Sequence, residues 1–364
     1  GSLKVQVGEN TEILTEGDSI YYSSSTPHGM IAVDGAPCSF LAVVLPGEET
    51  KETNVRKSIV TARRSEQLIC EKFVQTEEDE KGRLQKIDFI NTEKFNYGCD
   101  IVDEIADRYP DKLAMLHIAR DKTERRFTFK DMKKGSAQAA NYFKSLGIKK
   151  GDRVMLILKR HYQYWFAMLG LNKLGAIGIP APNQLQEHDL EYRFQAAGIK
   201  AILCTTDGDV ANQVDMAAAK CPDLKIKIAV GEEREGWRNY DEECKLFSSH
   251  YERGDNAPGG DDLMLMFFTS GTTGYPKIAA HSYTYALGHF HTAKFWHNVD
   301  PDGLHFTISD TGWAKAAWGK IYGQWIAGAA IGAYDTEKFQ KDMETSFQVF
   351  CRSEVPEVLL QNCF

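Results

Sequence analysis

The run FFTSGTTGYPK, residues 267 to 277, holds the densest set of chemistry-bearing residues in this chain. Thr269, Ser270, Thr272 and Thr273 offer four hydroxyl donors. Gly271 and Gly274 can take left-handed backbone angles, so successive N–H groups can turn toward an anion. Lys277 adds a mobile positive charge, and Pro276 stiffens the step into it. A polyphosphate needs such an array of donors with a cation close by. By composition alone, a flexible Ser/Thr/Gly linker competes on even terms. Two features shift the balance toward phosphate. The loop leaves a continuous apolar run, LMLMFF, as a buried strand would supply, and a Lys follows it. Familiar phosphate motifs do not fit the spacing. Counting from Gly271, Pro276 stands where a Walker loop needs its second Gly, and Ile278 where it needs Ser or Thr; no G-x-G-x-x-G is present.

A loop of this kind needs a rigid frame, and the preceding segment predicts one. DIVDEIADRYPDK is amphipathic, with Ile101, Ile105 and Tyr109 four apart and Pro110 as its stop. RRFTF predicts a short strand. KDMKKGSAQAANYFKSLG predicts a helix with Met132, Ala139, Phe143 and Leu146 on one face and Gly147 at its end. DRVMLIL, AIGIPA and KAILCTT predict strands, with helices over YQYWFAMLGLNKLG and EHDLEYRFQAAG between them. Such alternation predicts an α/β fold with a parallel sheet under covering helices. RGDNAPGGDD is a turn-rich break before the strand that carries the loop.

At 364 residues the chain predicts two or three domains. Residues 1 to 46 predict a few antiparallel strands, too few for a complete sandwich or barrel. Residues 47 to 95 are polar and charged and predict a linker with room for short helices, its charges a solvated face. Residues 96 to 364 carry the α/β pattern. The net charge of −8 argues against a nucleic-acid partner, since phosphate neutralisation needs Lys and Arg in excess. The longest apolar runs fall short of a membrane span. The eight cysteines are scattered with no C-x-x-C pair, and no leader pattern opens the chain, so a cytoplasmic location is expected.

The loop sequence resembles the phosphate-loop signature of the adenylate-forming (AMP-binding) superfamily, with an unbroken match from Thr269 to Lys277. FTFKDMKKGSAQAANYFKSLGIKKGDRVMLIL and WFAMLGLNKLGAIGIPAPNQL resemble the stretches that precede that signature. ISDTGWAKAAWGKIYGQWIAGA resembles the following motif in medium-chain acyl-CoA synthetases, and the resemblance covers about residues 70 to 350. It implies the parallel-sheet N-terminal portion of an adenylate-forming enzyme. It also implies ATP-driven activation of a carboxylic acid, short- or medium-chain fatty acids foremost, with transfer to coenzyme A. Fixed donors around the α-phosphate and the leaving pyrophosphate suit that chemistry. Thr269, Ser270, Gly271, Thr272, Thr273, Gly274 and Lys277 are then the nucleotide-binding set, with Lys277 catalytic.

In the resemblance, residues 281 to 330 line the acyl site, and Trp313 and Trp318 are its candidate wall. An aromatic wall suits an apolar tail or an aromatic acid. Asp310 belongs to the S-D-T-G-W turn and is expected to cap it. Five histidines lie between residues 281 and 305, but no carboxylate or Cys completes a ligand set, so no metal site is expected. His281 is expected to pack or cap. The family's motifs for adenine, ribose and Mg2+, and its C-terminal catalytic Lys, are expected beyond residue 364, so this chain alone is expected not to complete turnover. From about Arg352 the sequence departs from the family pattern.

GSLKVQVGENTEILTEGDSIYYSSSTPHGMIAV resembles the second half of a cupin. In metal-binding cupins His28 would be one ligand, but the upstream ligand motif is not in the chain and Ala32 stands where Asn is common. Two other functions remain open: an adenylation domain loading a carrier protein, and a non-catalytic nucleotide or acyl binder fused to a cupin sensor.

Overall fold

The structure, a computed structural model, describes residues 2–8, 10–15, 20, 26–33, 68–80, 82–270, 274–297, 299–307, 309–335 and 358–359. The chain divides into two compact units, Gly1–Arg63 and Arg64–Phe364.

In the first unit three strands form an antiparallel sheet: β1 (Leu3–Val7), β2 (Asn10–Leu14) and β3 (His28–Ala32), in the order β2-β1-β3. Leu3 and Val5 are buried while Lys4 and Gln6 between them are exposed, the period of two that a pleated strand imposes. His28 lies exposed at the start of β3, with Nδ1 2.9 Å from the Thr26 carbonyl oxygen.

The second unit opens with a 3₁₀ turn, Ile69–Lys72, and a hairpin of β4 (Val74–Glu78) and β5 (Leu84–Phe89). Composition reads this stretch as linker because most of its residues are polar. Ile69, Cys70 and Val74 nevertheless join the main core, and the charged residues sit on the other face. A π-helical turn, Gly98–Asp103, runs into α1 (Glu104–Arg108), burying Ile101 and Ile105 together as their spacing predicts. Strands β6 (Leu113–Ile118) and β7 (Glu124–Thr128) follow. Next comes α2 (Phe129–Ser145), whose N-terminus is closed by a Thr128–Asp131 capping box. The chain continues through β8 (Arg153–Ile157), α3 (Gln163–Leu174), β9 (Ile177–Pro180), α4 (Glu187–Ala197) and β10 (Ile199–Thr205). After these come α5 (Val210–Ala218), β11 (Ile226–Val230), β12 (Arg238–Asn239) and α6 (Tyr240–Cys244). Strands β13 (Leu263–Thr269) and β14 (Lys277–Ser282) flank the Ser/Thr/Gly loop. Helix α7 (Tyr285–His291), β15 (Leu304–Phe306), α8 (Ala314–Ala317), a π-helical turn Trp318–Tyr322, α9 (Gly323–Ile326), β16 (Ala330–Tyr334) and β17 (Val358–Leu359) complete the described chain.

Among the described residues these strands build two large sheets. One has the order β12-β11-β10-β8-β9-β13-β14, parallel except for β14. The other has the order β17-β15-β16-β6-β7, parallel except for β7. The expected parallel sheet is therefore present, with the antiparallel β13–β14 hairpin at the edge where the Ser/Thr/Gly loop lies.

The core depends on close helix packing. A Cβ added at Gly170 of α3 would stand 2.7 Å from Ala139 Cβ and 2.9 Å from the Ala140 nitrogen of α2. The reciprocal glycine, Gly135 of α2, receives the ring of Phe166. Buried aromatics spend their polar ends on backbone carbonyls: Trp165 Nε1 on Lys320 and Trp325 Nε1 on Ala114, at 2.8 and 2.9 Å. The cysteines Cys70, Cys99, Cys204, Cys221 and Cys244 are unpaired. Burial pushes the thiols of Cys99 and Cys244 up to about 11 and raises the other three.

Two expectations follow. Gly170→Ala places a methyl against backbone that cannot yield, and should cost about 1–3 kcal/mol in urea unfolding. The second concerns His117 and His305, which burial holds at about 4. An unfolded His titrates near 6.5, so between pH 7 and pH 5 the unfolded chain takes up protons that the folded chain refuses. Each site should then forfeit about 2 kcal/mol of stability by pH 5. The melting temperature should fall over that range, and fall less in the His117→Gln, His305→Gln double variant.

Candidate active site

The parallel strands direct their carboxyl ends to a common edge, the usual place for ligands in an open α/β sheet. Strand β13 runs parallel to β9, so the loop that leaves β13 lies at that edge. Thr269 and Lys277 face each other at the mouth of the loop as the last pair of the β13–β14 ladder, and Thr269 Oγ1 lies 3.4 Å from the Lys277 carbonyl oxygen. Thr269, Ser270, Gly274 and Lys277 are exposed. Gly274 has φ of +92° with open space where a Cβ would be, so a side chain there would be strained by backbone angle alone. Gly271, Thr272 and Thr273 lie outside the described residues. The far side of the loop is anchored by Tyr192 of α4, whose hydroxyl donates to the Pro276 carbonyl at 2.9 Å and whose ring meets Tyr275 at 4.9 Å. Lys277 itself is exposed and has no ion pair among the described residues.

The S-D-T-G-W turn, residues 309 to 313, reaches this edge from the other sheet. Asp310 caps it, accepting from the Gly312 N–H at 2.9 Å as expected. The Thr311 hydroxyl donates to the Lys159 carbonyl just beyond β8. Gly312 packs on the Ala181–Pro182 backbone just beyond β9, where a Cβ would stand 2.4 Å from the Pro182 nitrogen. Glycine is required here by proximity. Trp313 next to it is 57% exposed, so it is on the surface of this edge and not in the core. The side chain of Trp318 lies outside the described residues.

Sequence reasoning missed the charged residues that gather at the same edge, because they come from separate strand ends. His161 Nε2 is 3.0 Å from Thr205 Oγ1 and 3.3 Å from the Asp207 carboxylate. Lys159 and Arg120 stand 3.7 and 3.8 Å from Asp207. His117 Nε2 lies 3.0 Å from the Arg160 carbonyl oxygen. Candidate ligand atoms of His161, Asp207 and Asp335 fall within 4.8 Å of one another. With two cations already on Asp207, the cluster reads as an ion-pair network and does not fit a divalent-cation site. Sequence reasoning also missed Lys320, fully buried with no hydrogen-bond partner for Nζ among the described residues. Burial holds its amine far below the usual lysine range.

From the loop a series of ring contacts runs inward. Phe267 of β13 meets His281 of β14 at 5.9 Å, and His281 meets Tyr285 at 4.2 Å. His281 thus packs, as expected. Tyr285 in turn meets His289 at 4.5 Å and Tyr322 at 5.9 Å.

No helix among the described residues is long and apolar enough to cross a membrane. Residues 1–44 match the cupin domain model, and residues 102–358 match the model of the AMP-binding enzyme family. The chain is 33% identical over 285 residues to the mitochondrial acyl-coenzyme A synthetase ACSM3 of Homo sapiens, covering 74% of this chain and 48% of that protein. It is 34% identical over 268 residues to ACSM5 of Mus musculus, covering 71% and 45%. Among solved structures, an acyl-CoA synthetase of Brucella canis has the same fold, with a TM-score of 0.63 at 22% identity over 75% of this chain and 47% of that one. The chain spans about half the length of the curated relatives it matches. Because the matched segment takes in most of its 364 residues and holds both the loop and the S-D-T-G-W turn, the chain belongs to the AMP-binding enzyme family.

Proposed function

We propose that this chain supplies the nucleotide-phosphate and acyl-facing half of an AMP-forming acid–thiol ligase. In the proposed reaction a carboxylate oxygen attacks the α-phosphorus of ATP. The bond to pyrophosphate breaks, and acyl-AMP forms. The sulfur of coenzyme A then takes the acyl group and AMP leaves. The observation that carries this reading is the exposed donor set at the carboxyl edge: Thr269, Ser270 and Lys277, held by the β13–β14 pairing and the Tyr192 anchor. Thr272, Thr273 and the backbone of Gly271 and Gly274 complete the proposed set.

The protein's part is positional. Lys277 balances charge on the departing pyrophosphate, and the hydroxyls and N–H groups orient the α-phosphate for in-line attack. Fixed donors of this kind act without reorganising as charge shifts. Mg2+ normally accompanies ATP and would neutralise phosphate charge. The described residues hold no carboxylate set that fits it, so no step is routed through it. Trp313 stands at the edge where an acyl group would enter. A short- or medium-chain alkanoate is the acid that the resemblance implies. Residues 1–46 are proposed as a separate cupin-like segment and 96–364 as the AMP-binding portion, joined through 47–95, in the cytoplasm. The loading of a carrier protein is the second reading within the same chemistry.

Lys277→Ala should weaken ATP binding by on the order of tenfold or more, by loss of one charge-assisted contact. Titration calorimetry measures it, and an unchanged melting temperature should accompany it because Lys277 is exposed. Unchanged affinity would remove Lys277 from the site. Gly312→Ala, in contrast, should lower the melting temperature by pushing the turn off Pro182.

A further inference from the structure

The limb of the Ser/Thr/Gly loop that descends to Lys277 is gripped by helix α4. Tyr192 donates its hydroxyl to the Pro276 carbonyl oxygen at 2.9 Å, and its ring lies 4.9 Å from that of Tyr275 with the planes 31° apart. The next residue, Arg193, sets its guanidinium 5.2 Å from the ring of Phe268 on β13. Arg193 is itself fixed on α4, where it donates to the Asp189 carbonyl oxygen at 3.0 Å. Two adjacent residues of one helix thus touch both limbs of the β13–β14 hairpin.

Farther along the same helix the packing is interrupted. Side chains opposite each other in paired strands share a face, so Phe268 and Ile278 lie on one face of the hairpin, with Met266 and Ala280. A cavity of about 500 Å³ lies between this face and α4, lined by Met266 and Ile278 on the hairpin and by Ala196 and Ala197 on the helix. Ala196 stands one helical turn beyond Tyr192. Ile278 and Leu263, which also lines the cavity, remain 37% and 42% exposed. Apolar contact that would pin the hairpin to its covering helix is therefore thin here, and positioning from the α4 side falls on Tyr192 and Arg193.

The atom that Tyr192 holds is the informative one. The Pro276 carbonyl belongs to the peptide group that leads into Lys277. That group is planar, and the proline ring restricts the backbone just before it. Fixing its oxygen therefore fixes the direction in which Lys277 leaves the loop. Resting on the ATP reading above, we propose that Tyr192 is a positioning residue for the nucleotide's phosphates, acting through Lys277. It holds the Pro276–Lys277 peptide and the Tyr275 ring against α4, so that the ammonium meets the phosphates from a backbone already in place.

The test is titration calorimetry of this chain and its Tyr192→Phe variant with ATP and with inorganic tripolyphosphate, alongside amide hydrogen exchange. The variant keeps the ring and loses only the hydroxyl. Both ligands should bind about three- to tenfold more weakly, the range for loss of one hydrogen bond. Exchange should quicken at Tyr275 and Lys277, with α4 and the melting temperature unchanged. In a Lys277→Ala background the same substitution should cost little, because its effect passes through Lys277. Tyr275→Ala, at a residue 67% exposed, should weaken both ligands too, and serves if Tyr192→Phe does not fold. Unchanged affinity, or an undiminished loss in the Lys277→Ala background, would overturn the proposal and leave the phosphate-loop reading standing. No binding of either ligand to the unaltered chain would bring down that reading and the positioning role with it.

Discussion

The contact of Gly312 with the Ala181–Pro182 backbone is the joint on which the candidate site depends. It brings a turn from one sheet onto a strand end of the other, and the Thr311 hydroxyl adds a second fastening on Lys159. The approach is backbone to backbone, so no side chain can mediate it and only glycine permits it. Interiors this dense transmit displacement instead of absorbing it. The relative position of the Ser/Thr/Gly loop's strand and the S-D-T-G-W turn is thus set by a backbone contact.

Two kinds of order meet at this edge. The parallel strands, buried on both faces, supply rigidity through apolar packing, and their ends present charged and hydroxyl side chains. The β13–β14 hairpin supplies a loop whose mouth is set by the Thr269–Lys277 pair and by the Tyr192 anchor on Pro276. Donors can therefore be fixed in place while staying open to solvent and ligand. Behind them the ring series leads into an interior whose polar atoms are incompletely matched.

What the sequence revealed followed periodicity and local chemistry. The strands around Met155 and Leu203 and the helix stop at Gly147 could all be read from a few adjacent residues. So could the loop, because its residues are contiguous, and the role of Asp310, because its partner is two residues away. The hairpin over 74–89 was not legible, since a half-buried strand with one apolar residue in several looks like a polar connection. The network of Lys159, His161, Asp207 and Asp335 was not legible either. Its members stand as far apart as 159 and 335 along the chain, and only the sheet order makes them neighbours.

The burial of the cysteines bears on the proposed chemistry. A thiolate, not a thiol, attacks an activated acyl group. Cys70, Cys99, Cys204, Cys221 and Cys244 are all held in the protonated form by burial. An enzyme that makes a mixed anhydride and waits for an incoming thiol faces a competing reaction from its own sulfur. In the proposed reaction these five side chains, among the described residues, are withdrawn from that competition.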